Sequence, residues 1–166
     1  MNEESKMIIG LFNDYATWVE TLKDLDGKVW GAPISEGKWS ISEIISHIMN
    51  WDHHLLLQVL PSVEKGEGME FPEFDTFNKV ASDYAQSGIS QVQLIEEAVK
   101  TRESLVSELL KMPLEKLTLP LPSNGISHCP YTGEPYSLLY IVKEFSEHDT
   151  HHKQQIMEFL NKISLV

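Results

Sequence analysis

The sequence predicts an all-α protein built as a four-helix bundle, and three observations carry that prediction. Four separate stretches place apolar residues three and four apart, the spacing that lines one face of a helix. Two of them open on Ser-x-x-Glu or Ser-x-x-Gln, the pattern of a capped helix start. No stretch reads convincingly as a strand.

The first helix is written in Ile8, Leu11, Phe12, Tyr15, Trp18, Val19 and Leu22, and its pattern fades between Asp24 and Gly27. Gly31, Pro33 and Gly37 then break the repeat. The second helix opens on Ser40-Ile41-Ser42-Glu43, where the serine hydroxyl and the glutamate carboxylate each satisfy a free backbone N–H. Its inward stripe is Ile44, Ile48, Trp51, Leu55 and Val59, and Pro61 marks its expected end. From there to Gly88 the chain carries Gly66, Gly68 and Pro72 with Phe71, Phe74 and Phe77, then a short helical stretch from Asp75 to Ala85. A connection this long is usually functional or a lid.

The third helix begins at Ser90-Gln91-Val92-Gln93, runs on Val92, Ile95, Val99, Leu105, Val106 and Leu109 to Met112, and is terminated by Pro113. Five prolines and two glycines punctuate 113–135, an ordered but irregular connection with His128, Cys129, Tyr131 and Tyr136 available to pack over something. The fourth helix follows on Leu138, Ile141, Val142, Phe145, His148, His152, Ile156, Phe159 and Leu160. Two histidines therefore sit inside an apolar stripe, while Lys143, Glu147 and His151 point away or to the flank.

Composition narrows the function. The 166 residues fit one domain, 1–166, long enough to bury about 70% of the unfolded chain's surface. Thirteen basic against 25 acidic residues give a formal charge of −12, which argues against nucleic acid or an anionic membrane as partner. Cys129 is the single cysteine, so no intrachain disulfide forms and any metal must be held by histidine. The N-terminus lacks a basic start followed by an apolar run, and no run approaches the roughly 20 residues of a membrane span, so a cytoplasmic protein is expected.

Histidines at i and i+4 have Cβ atoms about 5–6 Å apart, close enough to converge on one ion at the roughly 2.0–2.1 Å that zinc requires. Leaving two inward imidazoles without partners would cost about 1–3 kcal/mol each, which favours His148 and His152 as ligands over packed core histidines. His47, near the middle of the second helix, could face them and complete a three-histidine site with an open position. A single histidine at the edge of an apolar stripe is more often structural, so His47 alone proves nothing. His54 lies on the same edge, about 10 Å further along, too far to share an ion with His47 easily. His53, His128 and His151 read as surface or loop residues.

Other metal motifs fare worse. A diiron carboxylate bundle needs a Glu three residues before a ligand His, where this chain has Ile44, Phe145 and Asp149. His148-Asp149-Thr150-His151-His152 is like the two-histidine helix of zinc proteases, yet no histidine follows it to serve as third ligand. Nothing favours a haem bundle. Trp30, Trp39, Phe71 and Phe74 read as packing, and Tyr131 and Tyr136 as residues that line a pocket.

At these residues the chain resembles the DinB/YfiT-like superfamily, all-helical metal-dependent enzymes. Lys38-Trp39-Ser40-Ile41-Ser42-Glu43-Ile44-Ile45-Ser46-His47-Ile48 is similar to its second-helix signature, and His148, His152 and Gln155-Ile156 to its last helix. The resemblance implies an up-down-down-up bundle, often a homodimer, in which His47, His148 and His152 hold a divalent ion, zinc or nickel first, manganese or iron after. Relatives include bacillithiol S-transferases and a mycothiol-dependent isomerase. The implied function is a metal-dependent thiol S-transferase or hydrolase acting on a small-molecule electrophile, with a low-molecular-weight thiol as cosubstrate for transfer. Gln155 would orient one ligand, and Asp149 or Glu144 would sit behind one; no general base is assigned. Lys38, Lys79, Arg102 and Lys143 are scattered and form no basic cluster for a thiol's carboxylates. The competing reading is a non-catalytic bundle that binds a metal, ligand or partner.

Overall fold

Each of the four periodic stretches becomes a long helix in the computed structural model, which describes residues 1–164. Helix α1 is Glu3–Glu20, started by Asn2, whose side chain accepts the Ser5 N–H at 2.8 Å. A short 3₁₀ turn, Thr21–Asp24, and a single-turn helix α2, Gly27–Gly31, lead to α3, Ile41–His54. The reciprocal Ser40–Glu43 box caps α3 as the sequence requires.

Pro61 does not end this helix. The chain widens into a π-type turn over Leu55–Val59 and resumes as α4, Leu60–Glu64, with Pro61 in its first turn. A wide turn frees the carbonyl that a proline ring would otherwise strike, and a first-turn proline has no intrahelical N–H to lose. Helix α5 is Phe74–Ala85, α6 Gln91–Lys111, α7 the single turn Leu114–Leu117, and α8 Leu138–Ser164. The cap of α6 is only half a box: Ser90 accepts from the Gln93 N–H, while the Gln93 amide reaches forward to Glu97. Among the described residues there are isolated β-bridges but no strand, and no helix long and apolar enough to cross a membrane.

Two apolar layers fix the helix directions. One gathers Ile8, Ile9 and Phe12 from the start of α1, Leu60 and Val63 of α4, Leu105 and Leu109 near the end of α6, and Leu138 and Val142 from the start of α8. The other gathers Val19 from the end of α1, Ile41, Ile44 and Ile45 from the start of α3, Leu94 and Ile95 from the start of α6, and Ile156 late in α8. The arrangement is therefore up-down-down-up. Since α3 and α6 run the same way, the chain must travel back along the bundle between them, and α5 makes that return.

A polar ladder docks α5 on α3. Ser46 donates to the Ala81 carbonyl at 2.7 Å, Ser82 to the Glu43 carboxylate, and Trp51 Nε1 to Asn78 Oδ1 at 3.0 Å. Residue numbers rise on one helix as they fall on the other, so the two are antiparallel.

Between the apolar layers lies a charged one. Arg102 of α6, 0% exposed, donates to both carboxylate oxygens of Asp52 at 2.8 and 2.9 Å, to Asp149 at 2.9 Å and to the Phe12 carbonyl at 2.9 Å. Its guanidinium carbon stands 3.8 Å from the Phe12 ring centre and 4.3 Å from that of Tyr15. One side chain thus binds α1, α3 and α8 to α6. Burial alone would weaken its charge, but the two carboxylates outweigh burial and hold its pKa above the ordinary value. Burial in turn pushes the Asp149 carboxyl up to about 7 against the pull of Arg102.

Candidate metal centre

His47 is delivered by the middle of α3, His148 and His152 by successive turns of α8. Their ring nitrogens lie within 4.8 Å of one another. His47 Nε2 is 3.4 Å from His148 Nε2, which is 3.1 Å from His152 Nε2. Two 2.0–2.1 Å bonds at a tetrahedral angle would set their nitrogens about 3.3–3.4 Å apart, so the spacing already suits a single ion.

The opposite ring nitrogens decide which protons are where. His47 Nδ1 is 3.0 Å from Asn78 Oδ1, and the Trp51 indole N–H, which can only donate, is 3.0 Å from the same atom. That atom must be the amide oxygen, so His47 carries its proton on Nδ1 and offers a lone pair at Nε2. Gln155 Oε1 accepts from His152 Nδ1 at 3.0 Å and leaves the second Nε2 bare in the same way. A proton on His148 Nε2 could serve only one of these two lone pairs. A divalent cation satisfies all three nitrogens at once, and the residues present fit it.

The electrostatics agree. Burial first, then the neighbouring imidazoles, drive the His47 pKa down to about 3 and that of His148 to about 4. Burial also lowers His152, with Gln155 pulling the other way. All three are neutral at pH 7, the form in which histidine binds metal. His47 is buried, with the Trp39 ring 4.9 Å from its own. His148, expected on the buried face of its helix, instead opens onto a cleft.

That cleft is a cavity of about 430 Å³. Ile48, Trp51, Phe71, Phe74, Tyr136, Ile141 and Phe145 give it apolar walls, with His47 and His148 on one side. Asn78, Asp52, Glu144 and Asp149 also line it, and no Lys or Arg does. Arg102 lies behind the wall, fully consumed by its partners.

Several expectations need correction. Phe74, read as packing, is largely exposed and lines the cavity, because the start of α5 lies over the site; Phe71, read the same way, does pack on the core beside Trp51 and Phe145 and lines the cavity too. Tyr131, read as pocket-lining, is 95% exposed and takes no part, whereas Tyr136 does. His53, read as a surface residue, is half-buried and 3.0 Å from the Thr101 hydroxyl, since α6 packs over that flank of α3. His54 lies 2.7 Å from the Glu70 carbonyl and stays out of the metal cluster. His128 and His151 are exposed. Asp149 is tied to Arg102 rather than to a histidine ring.

Asn78, Asp52 and the role of Arg102 escaped the sequence reading. Asp52 and Arg102 each carried a signal, a charge set within an apolar helix stripe. Asn78 carried none, since its contact is with a residue 31 positions away.

A family model, the DinB superfamily, matches residues 13–156. No curated protein matches the sequence. The fold is similar to that of YfiT from Bacillus subtilis, described as a probable metal-dependent hydrolase with an unusual four-helix bundle topology. The two chains are 13% identical and superpose with a TM-score of 0.76 over 99% of this chain and 90% of the other.

Proposed function

We propose, from the premise that this chain belongs to the DinB superfamily, that it is a metal-dependent hydrolase of small uncharged or cationic molecules. His47, His148 and His152 are the proposed ligands, and the observation that carries the reading is their convergence through Nε2 at the edge of a 430 Å³ aromatic cavity. A borderline, all-imidazole donor set suits zinc or nickel first, with iron or manganese after. The ion's contribution in such a site is Lewis acidity, which makes a nucleophile available at neutral pH.

The remaining work belongs to the chain. Asn78 and Gln155 hold two of the imidazoles in the tautomer that binds metal. Trp51, Phe71 and Phe145 give an apolar body somewhere to lie and keep water from it. No lysine or arginine lines the space and Glu144 stands in its wall, which disfavours anionic substrates. Asp52 and Asp149 add little to that, being paired with Arg102 behind the wall.

Transfer of a small thiol to an electrophile is the second reading, for which an open metal position also suffices. The lining supports it less, since the carboxylates of an anionic thiol would find no cationic partner. Elemental analysis of the untagged protein, followed by assays with neutral aryl esters and with thiol plus electrophile, separates the readings. We expect one transition metal per chain, lost in His47→Ala and in the His148→Ala, His152→Ala double variant, and ester hydrolysis that disappears with it. A protein that carries no metal, refuses added zinc and nickel, and is as stable in the variants as in the parent is a binding bundle instead.

A further inference from the structure

The amide of Asn78 is half employed. Its oxygen accepts two hydrogen bonds, from His47 Nδ1 and from Trp51 Nε1, both 3.0 Å long. Those two bonds fill both lone pairs and fix the orientation of the amide, since turning it over would set an NH₂ group against two N–H donors. Its nitrogen, with two hydrogens, has no acceptor among the described residues. Asn78 is half-buried and lines the cavity beside His47. Among the described residues the buried polar side-chain atom left without a partner is Tyr15 Oη, so the Asn78 nitrogen is not sealed off: it is open at the cavity wall, where a ligand's acceptor can reach a donor pair already held in one orientation.

We infer that Asn78 is a substrate-binding residue whose side-chain NH₂ donates to the carbonyl oxygen of an acyl compound in the cavity, so that the substrates are uncharged esters or amides. The inference rests on the hydrolase reading and adds to it the group that the substrate presents. The acceptor belongs to an uncharged ligand, because no lysine or arginine lines the cavity to pair with an anion and the Glu144 carboxylate stands in its wall. No proton is transferred; the amide remains a neutral donor throughout. The ladder between α3 and α5 keeps the donor in place, and the aromatic wall of Trp51, Phe71 and Phe145 receives the rest of an aryl-substituted acyl compound.

The test uses the zinc-loaded full chain and two uncharged probes, acetanilide and its carbonyl-free counterpart N-ethylaniline, in the wild type and in Asn78→Asp. The aspartate keeps an acceptor for His47 and Trp51 but has no N–H to give. We expect equal zinc content in both proteins, about tenfold weaker acetanilide binding by the variant, the size of one hydrogen bond lost, and no change for N-ethylaniline. Should the variant misfold, the side-chain NH₂ resonances of Asn78 in ¹⁵N-labelled wild type serve instead, moving with acetanilide and not with N-ethylaniline.

Equal acetanilide affinity in both proteins, resonances that do not move, or a wild type that does not bind acetanilide at all would each overturn the assignment. A protein that takes up no zinc overturns this inference together with the hydrolase reading. Carbonyl-dependent binding without ester turnover leaves Asn78 in its role and removes the hydrolase reading alone.

Discussion

Arg102 Nη1 stands 2.9 Å from Oδ2 of Asp149, the residue that follows the proposed ligand His148. The same guanidinium grips Asp52, five residues after His47. The two helices that bring the histidines together are therefore tied by one buried cation within two turns of the site.

Replacing Arg102 with methionine leaves two buried carboxylates facing each other. Breaking a buried pair from one side typically costs about 3–5 kcal/mol, because the remaining charge has no compensation. Urea unfolding of Arg102→Met is expected to show a loss of that size, and a loss below about 1 kcal/mol would contradict the account of this layer.

Metal affinity is expected to resist acid. A histidine with an ordinary pKa near 6.5 loses ligand strength steadily as pH falls below that value. Here the native pKa values of His47 and His148 are about 3 and 4, and His152 is lowered as well. His47 and His148 therefore stay neutral well below pH 6.5, and His152, lowered by burial, is left as the one ring to compete for a proton above about pH 4. Zinc titrations of the folded protein should lose affinity between pH 6.5 and pH 5 with the slope of at most one proton; the slope of two or three protons would refute the electrostatic account.

Gln155 fixes the tautomer of His152 from the Nδ1 side of the ring, away from the Nε2 that would bind the ion. Removal of such an outer partner commonly costs about 10–100-fold in metal affinity. Competition with a chromophoric chelator should register that loss in Gln155→Ala and none in Lys153→Ala, whose parent side chain is exposed.

Ser46→Ala removes the second donor that the Ala81 carbonyl accepts from, in a buried contact, while the carbonyl keeps its place in the α5 ladder. A cost of about 0.5–1.5 kcal/mol follows, the net worth of one hydrogen bond. Hydrogen exchange should quicken in α5 more than in α6, which does not depend on that contact.

The bundle was legible because its helices announce their own periods and starts, as at Ser40 and Ser90. The pair His148 and His152 was legible for the same reason, since i and i+4 place both on one face before any tertiary structure is known. His47 needed the resemblance of its flanking residues, because spacing alone cannot say which helix faces which. Pro61 misled because a π-type turn is a departure from the very period used to read the helix. Phe71, Phe74 and Asn78 stayed hidden in a segment whose apolar pattern is short, and whose placement depends on α3 more than on its own sequence.

Parallel α3 and α6 oblige the connector to run the length of the bundle, and the connector supplies Phe71, Phe74 and Asn78 to the site. Shortening α5 by one helical turn ahead of Asn78 would draw that residue about 5 Å out of step with His47. Residues 70–80 thus behave as a cassette: one contiguous exchange of sequence would recast the cavity wall and the outer support of His47 together, while Met69 before it stays in the core and Ser90 after it still caps α6.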